Sequence, residues 1–269
     1  MSRRGLVIAV VLLAVVFGLG TWFSRNVAEE VPSGTCRVDD VRLDAEQMSN
    51  AATIAAVGLR RKAGERAITV ALAAALQESK LRNLEHQGRR NDHDSIGLFQ
   101  QRPSQGWGTA EQILDQRYAA ERFYKALTKV KGWERMRVTD AAQAVQRSAY
   151  PEAYQKWADD AQILAAAFAG KTPGALSCEP ARAAAVSAAA SERFSLDFGR
   201  SFQTEENFLR VPVTDPTTGW QVAHWFVAQA EATGVAKVTF GDRQWTPRGE
   251  WVPVEAAEGA REVIAELSP

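Results

Sequence analysis

Cysteine and histidine are scarce in this chain of 269 residues, with two of the first and three of the second. The histidines, His86, His93 and His224, are scattered, so the ligand spacing of a zinc site is missing and there is no H-E-x-x-H helix. Ser-His-Asp and Cys-His triads have no candidates, and neither a P-loop nor a dinucleotide fingerprint occurs. No metal and no cofactor is therefore expected. An excess of either charge is also lacking: 32 basic residues balance 32 acidic ones, for a formal net charge of zero. That excludes bulk electrostatic capture of nucleic acid and provides no acidic tail for a charged partner. Internal repeats are absent. What is present is a hydrophobic content of 46%, which suits a folded chain and not a disordered one. The length leaves room for two modest domains, each with its own core.

The run Gly5 to Phe23 carries no charge. At about 1.5 Å per residue it would span roughly 28 Å as a helix, close to a hydrocarbon core. Arg3 and Arg4 precede it, an arrangement that keeps the N-terminus cytoplasmic. Residues 1–25 are thus expected to form a transmembrane helix, with membrane contact through residues 5–23. The alternative is a cleaved signal peptide and a secreted protein. Either way, the bulk of the chain is expected on the extracytoplasmic side. There Cys36 and Cys178 would pair as a disulfide, the alternative being two free thiols. The bridge would close a loop of about 140 residues.

Residues 26–40 read as a polar tether. From there to Gly170 the pattern is helical. Asp44-x-x-Gln47 looks like a capping box, and a helix over about Glu65 to Leu81 is apolar on nearly every side, as a buried central helix is. A charged loop follows, then a Gly-rich stretch, SIGLFQQRPSQGWGT. Thr109-x-x-Gln112 opens a helix to about Val130, another runs from about Thr139 to Tyr150, and Pro151 starts the last, through Trp157 to Gly170. Residues 179–191 are Ala-rich and read as a linker, the alternative being a short Ala-rich helix. Beyond it Phe194, Leu196 and Phe198 alternate with polar residues at a strand-like period. Gly219 to Thr233 reads as a helix, VAKVTF and QWTP flanking a Gly-Asp-Arg turn as a hairpin, and Trp251 to Val254 as a further strand. The four tryptophans here, Trp220, Trp225, Trp245 and Trp251, suit a core better than a glycan-binding face. The two parts are residues 41–178, mainly α, and residues 192–269, small α+β.

One pattern carries chemistry: a carboxylate, Glu78, at the end of the most hydrophobic helix, then a polar loop and a Gly-rich turn with amides. Breaking a glycosidic bond requires a carboxylic acid that protonates the leaving oxygen, and a partly apolar setting favours the protonated form. Against this stands the ordinary fate of Glu, which is solvation.

The stretch ALAAALQES followed by DSIGLFQQRPSQGWGT resembles the lytic transglycosylase and goose-type lysozyme superfamily, over roughly residues 40–172. Those domains have a Glu-Ser pair closing a helix, here Glu78-Ser79, and a Gly-Leu-x-Gln turn, here Gly97-Leu98-Phe99-Gln100. The family's third element is Ala-Tyr-Asn. Ala149-Tyr150 matches its first two residues, while Pro151 replaces the amide. The resemblance implies a lysozyme-like helical domain at 41–178 and cleavage of peptidoglycan glycan strands, by lytic transglycosylase or muramidase chemistry, with Glu78 as general acid. It further implies that Ser79 orients the acid or binds substrate, that Gly97 permits close backbone approach, that Gln100 donates to sugar groups, and that Tyr150 hydrogen-bonds the Glu; a helix-end hydroxyl explains Ser79 as well, and a core aromatic with a satisfied hydroxyl explains Tyr150. A hydrolase would recruit a second carboxylate, for which Asp94 and Asp92 in the loop are candidates; loop solvation or capping explains them as well. Trp107 would stack on sugar or simply pack. The C-terminal segment looks like a small domain that recurs in actinobacterial envelope proteins. The competing reading is a catalytically inactive murein-binding or scaffold protein on the same fold, and a third is an anchored structural partner of a secretion or division machine.

Overall fold

The chain turns back on itself before its first helix. Thr35–Val38 (β1) and Val41–Asp44 (β2) form a hairpin whose tight reversal puts Asp39 at φ 52°. In this computed structural model, which describes residues 33–86, 94–181, 187–255 and 261–268, a third strand, Leu176–Glu179 (β3), pairs antiparallel with β1 and sets Cys36 opposite Cys178. The two cysteines are disulfide-bonded across a sequence separation of 142. By the chain-entropy argument, closing such a loop disfavours the unfolded state by about 5 kcal/mol.

The expected capping box is present: Asp44 accepts from the Gln47 amide at 2.9 Å, and the Gln47 side chain accepts from the Asp44 amide at 3.0 Å, opening α1 (Ala45–Arg60). Helix α2 (Glu65–Ser79) is buried at every position from Ala67 to Leu76. Its alanines let α6 (Ala158–Phe168) lie close against it, the most extensive helix pairing among the described residues. Where one helix was expected from Thr109, there are two. Thr109 caps α3 (Ala110–Leu114) in a box with Gln112. Asp115 then ends α3 and caps α4 (Gln116–Leu127), accepting from the Arg117 amide at 2.9 Å. Helix α5 (Val138–Gln146) stops short of Tyr150 because Arg147 turns left-handed at φ 53°.

The expectation of a mainly α first part followed by a small α+β domain needs correction. A three-stranded sheet joins the two ends of the first part, with β1 in the stretch read as a tether, β2 just after it and β3 beyond Gly170, and a second, six-stranded antiparallel sheet runs β4-β5-β9-β6-β7-β8. Its strands are Gln203–Glu205 (β4), Phe208–Pro212 (β5), Val235–Phe240 (β6), Arg243–Trp245 (β7), Trp251–Pro253 (β8) and Glu262–Leu267 (β9). Strands of three or four residues are too short to show a period. Conversely, Phe194 to Phe198 lies not in a strand but in α7 (Ser187–Phe198). Phe194 and Phe198 are four apart, a spacing that suits one face of a strand or of a helix equally. Their rings pack at 4.7 Å while Leu196 points outward. The expected transmembrane helix over residues 5–23 lies outside the described residues. Among those described, no helix is long and apolar enough to cross a membrane.

Residues 33–269 form one compact unit. Helix α8 (Pro216–Ala228) covers the six-stranded sheet and packs on α1, α6 and β3, so a single core runs through both halves; a short helix, α9 (Ala230–Thr233), leads from it to β6. The four tryptophans of the C-terminal part are all buried there. At the junction, fully buried Asp197 on α7 accepts from Trp225 Nε1 at 2.7 Å and from Thr53 Oγ1 at 3.3 Å. Arg117 Nε of α4 lies 2.7 Å from its other oxygen, an ionic contact outside hydrogen-bond alignment. Burial raises the Asp197 pKa, and Arg117 is the largest opposing influence. Beside it Ser49 Oγ donates to Gln229 Oε1 at 2.7 Å, and Gln229 Nε2 returns a bond to the Ser49 carbonyl at 3.1 Å.

His224 is fully buried on α8, with Nδ1 2.8 Å from the Ala167 carbonyl and no partner for Nε2. A neutral ring donating from Nδ1 fits. Burial lowers its pKa from 6.5 to about 4, the Ala167 carbonyl acting weakly against it. Between those values the unfolded chain binds more protons than the folded one, so stability rises with pH. The contribution is complete above pH 6.5 and is lost as pH falls toward 4, at about 1.4 kcal/mol per pH unit in between. Chemical denaturation across this window is expected to show a shallower pH slope for His224→Gln than for wild type.

Candidate active site

The end of α2 is fixed by its neighbours. Lys80 and Leu81 both take left-handed backbone, at φ 56° and 58°, which for non-glycine residues requires outside support. Helix α1 supplies it: Gln47 Nε2 donates to the Lys80 carbonyl at 2.8 Å and Asn50 Nδ2 to the Leu81 carbonyl at 2.7 Å. Ser79, buried, donates its hydroxyl to the Leu98 carbonyl at 2.8 Å. It therefore docks the Gly97 turn onto the helix end instead of orienting Glu78.

The turn itself is closed by Ile96 pairing with Gln101 and by the Gly97 amide donating to the Leu84 carbonyl at 2.7 Å. Gly97 sits at φ 75°, and a Cβ there would lie 2.8 Å from the Ile113 carbonyl oxygen. Gln100, itself at φ 46°, donates its side-chain amide to the Gly97 carbonyl at 3.1 Å. Gln101 faces inward and donates to the Ala119 carbonyl at 3.0 Å.

These elements bring Glu78 to the edge of a groove of about 1010 Å³. Phe99, Gln100, Trp107, Arg122, Gln146 and Ser148 are among its walls. Glu78 is half-buried, and Tyr154 donates its hydroxyl to Glu78 Oε1 at 2.5 Å. The Tyr154 phenol is pushed well above its ordinary pKa, first by burial, then by its bond to Glu78 and that carboxylate's charge. No other carboxylate lines the groove among the described residues.

Two expected site residues stand elsewhere. Asp94 does not line the groove. It accepts from the Ser104 amide at 2.7 Å, the Ser104 hydroxyl at 2.8 Å and Arg102 Nε at 2.9 Å. These bonds, the Ser104 amide foremost, hold its carboxyl far below the usual carboxylate range. It is a clamp that ties the start of this stretch to Arg102 and Ser104. Asp92 and His93 lie outside the described residues. Tyr150 is 75% exposed, and the bond to Glu78 expected of it comes from Tyr154. The signal was available: Ala153-Tyr154 repeats the Ala-Tyr pair four residues on and is followed by an amide, Gln155, where the first pair is followed by proline. No cluster of His, Cys, Asp or Glu among the described residues is arranged to hold a metal ion.

Comparison with family models and with curated proteins finds no match to this chain. The site therefore has to be judged on its own chemistry. Gly97→Ala is expected to destabilise the fold by about 1–3 kcal/mol, because it places a side chain in left-handed backbone against a carbonyl. Urea denaturation measures this, and Gly106→Ala, where a Cβ would meet nothing within 4 Å, isolates the backbone part.

Proposed function

We propose that the groove is the active site of a peptidoglycan-directed, lysozyme-like glycan-cleaving enzyme working on the outer side of the cell membrane. The observation that carries this reading is a single carboxyl, Glu78, half-buried at the groove wall and held by the Tyr154 hydroxyl. The resemblance of the Glu78-Ser79 helix end and the Gly97-Leu98-Phe99-Gln100 turn to the motifs of lytic transglycosylases supports it. The disulfide supports an oxidising compartment.

In the proposed reaction, Glu78 in its acid form donates its proton to the oxygen bridging N-acetylmuramic acid and N-acetylglucosamine, and the muramyl C1–O bond breaks. With no second carboxylate on the described walls, the same Glu78, now anionic, takes the proton of the muramyl 6-hydroxyl as that oxygen bonds to C1. The product is a 1,6-anhydro sugar and no water is consumed. This favours the transglycosylase over the muramidase variant. Tyr154 holds the carboxylate in place through both proton transfers, and Trp107 offers a ring for a sugar face.

Incubating the full-length protein with purified sacculi and weighing the products by mass spectrometry tests this. Wild type should release fragments with 1,6-anhydro ends. Glu78→Gln should lose about 100- to 10,000-fold in rate, the range of a general acid–base contribution. Tyr154→Phe should lose about 10- to 100-fold, as expected for a hydrogen bond to a charged group, whereas Tyr150→Phe should be unchanged. Equal release by Glu78→Gln would remove the catalytic role, and binding of sacculi without release by wild type would favour the inactive murein-binding alternative.

A further inference from the structure

The chain has no net charge, yet its groove is strongly one-sided. Its described walls carry Arg102, Arg122, Lys125, Lys129 and Arg147 against the single carboxylate of Glu78. Two of the cations are committed: Arg102 to Asp94, and Arg122 to the Gly106 carbonyl at 2.8 Å. Lys125, Lys129 and Arg147 are exposed and have no carboxylate partner among the described residues.

The segregation begins in α4. Its core face is Ala119, Ala120, Phe123, Tyr124 and Leu127. Arg122 and Lys125, three apart, share one face of the helix, and Lys129 in the turn just past its end lines the groove beside them. The acid on the same helix, Glu121, is turned away and paired with Arg60 at 2.8 Å and with Arg61. Arg147, at the left-handed end of α5, adds a cation from another element. A concave surface lined by one sign of charge concentrates its field on whatever enters. A neutral sugar chain gains nothing from that field. A chain with carboxylates on its lateral substituents gains at each one.

We infer that Lys125, Lys129 and Arg147 form a specificity wall that selects glycan strands bearing free carboxylates over neutral ones. This deepens the reading of the groove as a glycan site and rests on it, while its test separates the two. The probes are a neutral N-acetylglucosamine oligomer, soluble peptidoglycan oligomers with free carboxylates, and the same oligomers with carboxylates amidated. Binding to the full-length Glu78→Gln protein is followed by calorimetry, which avoids turnover.

At about 20 mM salt the free-carboxylate oligomers should bind about tenfold tighter than the amidated ones, the effect of some three exposed ion pairs. At about 500 mM salt, where screening reaches only a few ångströms, the ratio should approach one. In the triple variant Lys125→Gln, Lys129→Gln, Arg147→Gln the ratio should also approach one, with the neutral oligomer binding as before. Equal binding of free and amidated oligomers by the unsubstituted wall overturns the inference and leaves the glycan site standing. A contrast that survives the triple substitution overturns the assignment to these residues. Failure of every glycan to bind, neutral ones included, overturns the glycan reading and this inference with it. The salt series uses the unsubstituted wall and so is independent of the variant's folding.

Discussion

Helix α2 has no solvent face from Ala67 to Leu76, so its direction and depth are set by the core, and only its last turn is free to present chemistry. A helix in that position can expose a functional side chain only by stopping, and here it stops against resistance. Two successive residues in left-handed backbone are held by amide side chains of the neighbouring α1. Moving this terminus by one residue would swing Glu78 by about 100° around the axis. The hydroxyl of Ser79 then uses the same terminus as a mooring for the Gly97 turn. Carboxylate, turn and groove floor are thus fixed by one event, the termination of a buried helix.

That dependence explains what could be seen in the sequence. The helix was legible because apolar residues on every side leave no other arrangement, and the caps at Asp44 and Thr109 were legible because two reciprocal hydrogen bonds have a fixed spacing. Glu78 was legible as a polar residue where that pattern ends. The three-stranded sheet was not, since strands of four residues are too short to show a period and β3 joins β1 across more than a hundred positions. Phe194 and Phe198 misled because their spacing satisfies both periods. Tyr154 was passed over for its exposed neighbour Tyr150 because burial, which separates them, is a property of the fold and not of the Ala-Tyr pair.

No described residue of the C-terminal half lines the groove, but that half braces one wall. Arg117, near the start of α4, reaches Asp197 of α7, and that buried carboxylate also holds Trp225 of α8 and Thr53 of α1. A buried charge left without its partner is costly, so α4 is held in place by the penalty for letting go. The same helix carries Arg122 and Lys125 into the groove. Its rotation, and hence the aim of its cations, is set from the far side of the molecule.

The position of the disulfide has a mechanical consequence. Cys36 and Cys178 sit on adjacent strands and are joined covalently. Tension between Ser33 and the C-terminal sheet would pass from Cys36 through the sulfur bridge to Cys178, leaving residues 37–177 out of the load path. Glu78, the turn and both groove walls belong to that shielded loop. A pull along the chain would strain the six-stranded sheet first, and the groove would keep its shape while the bridge held.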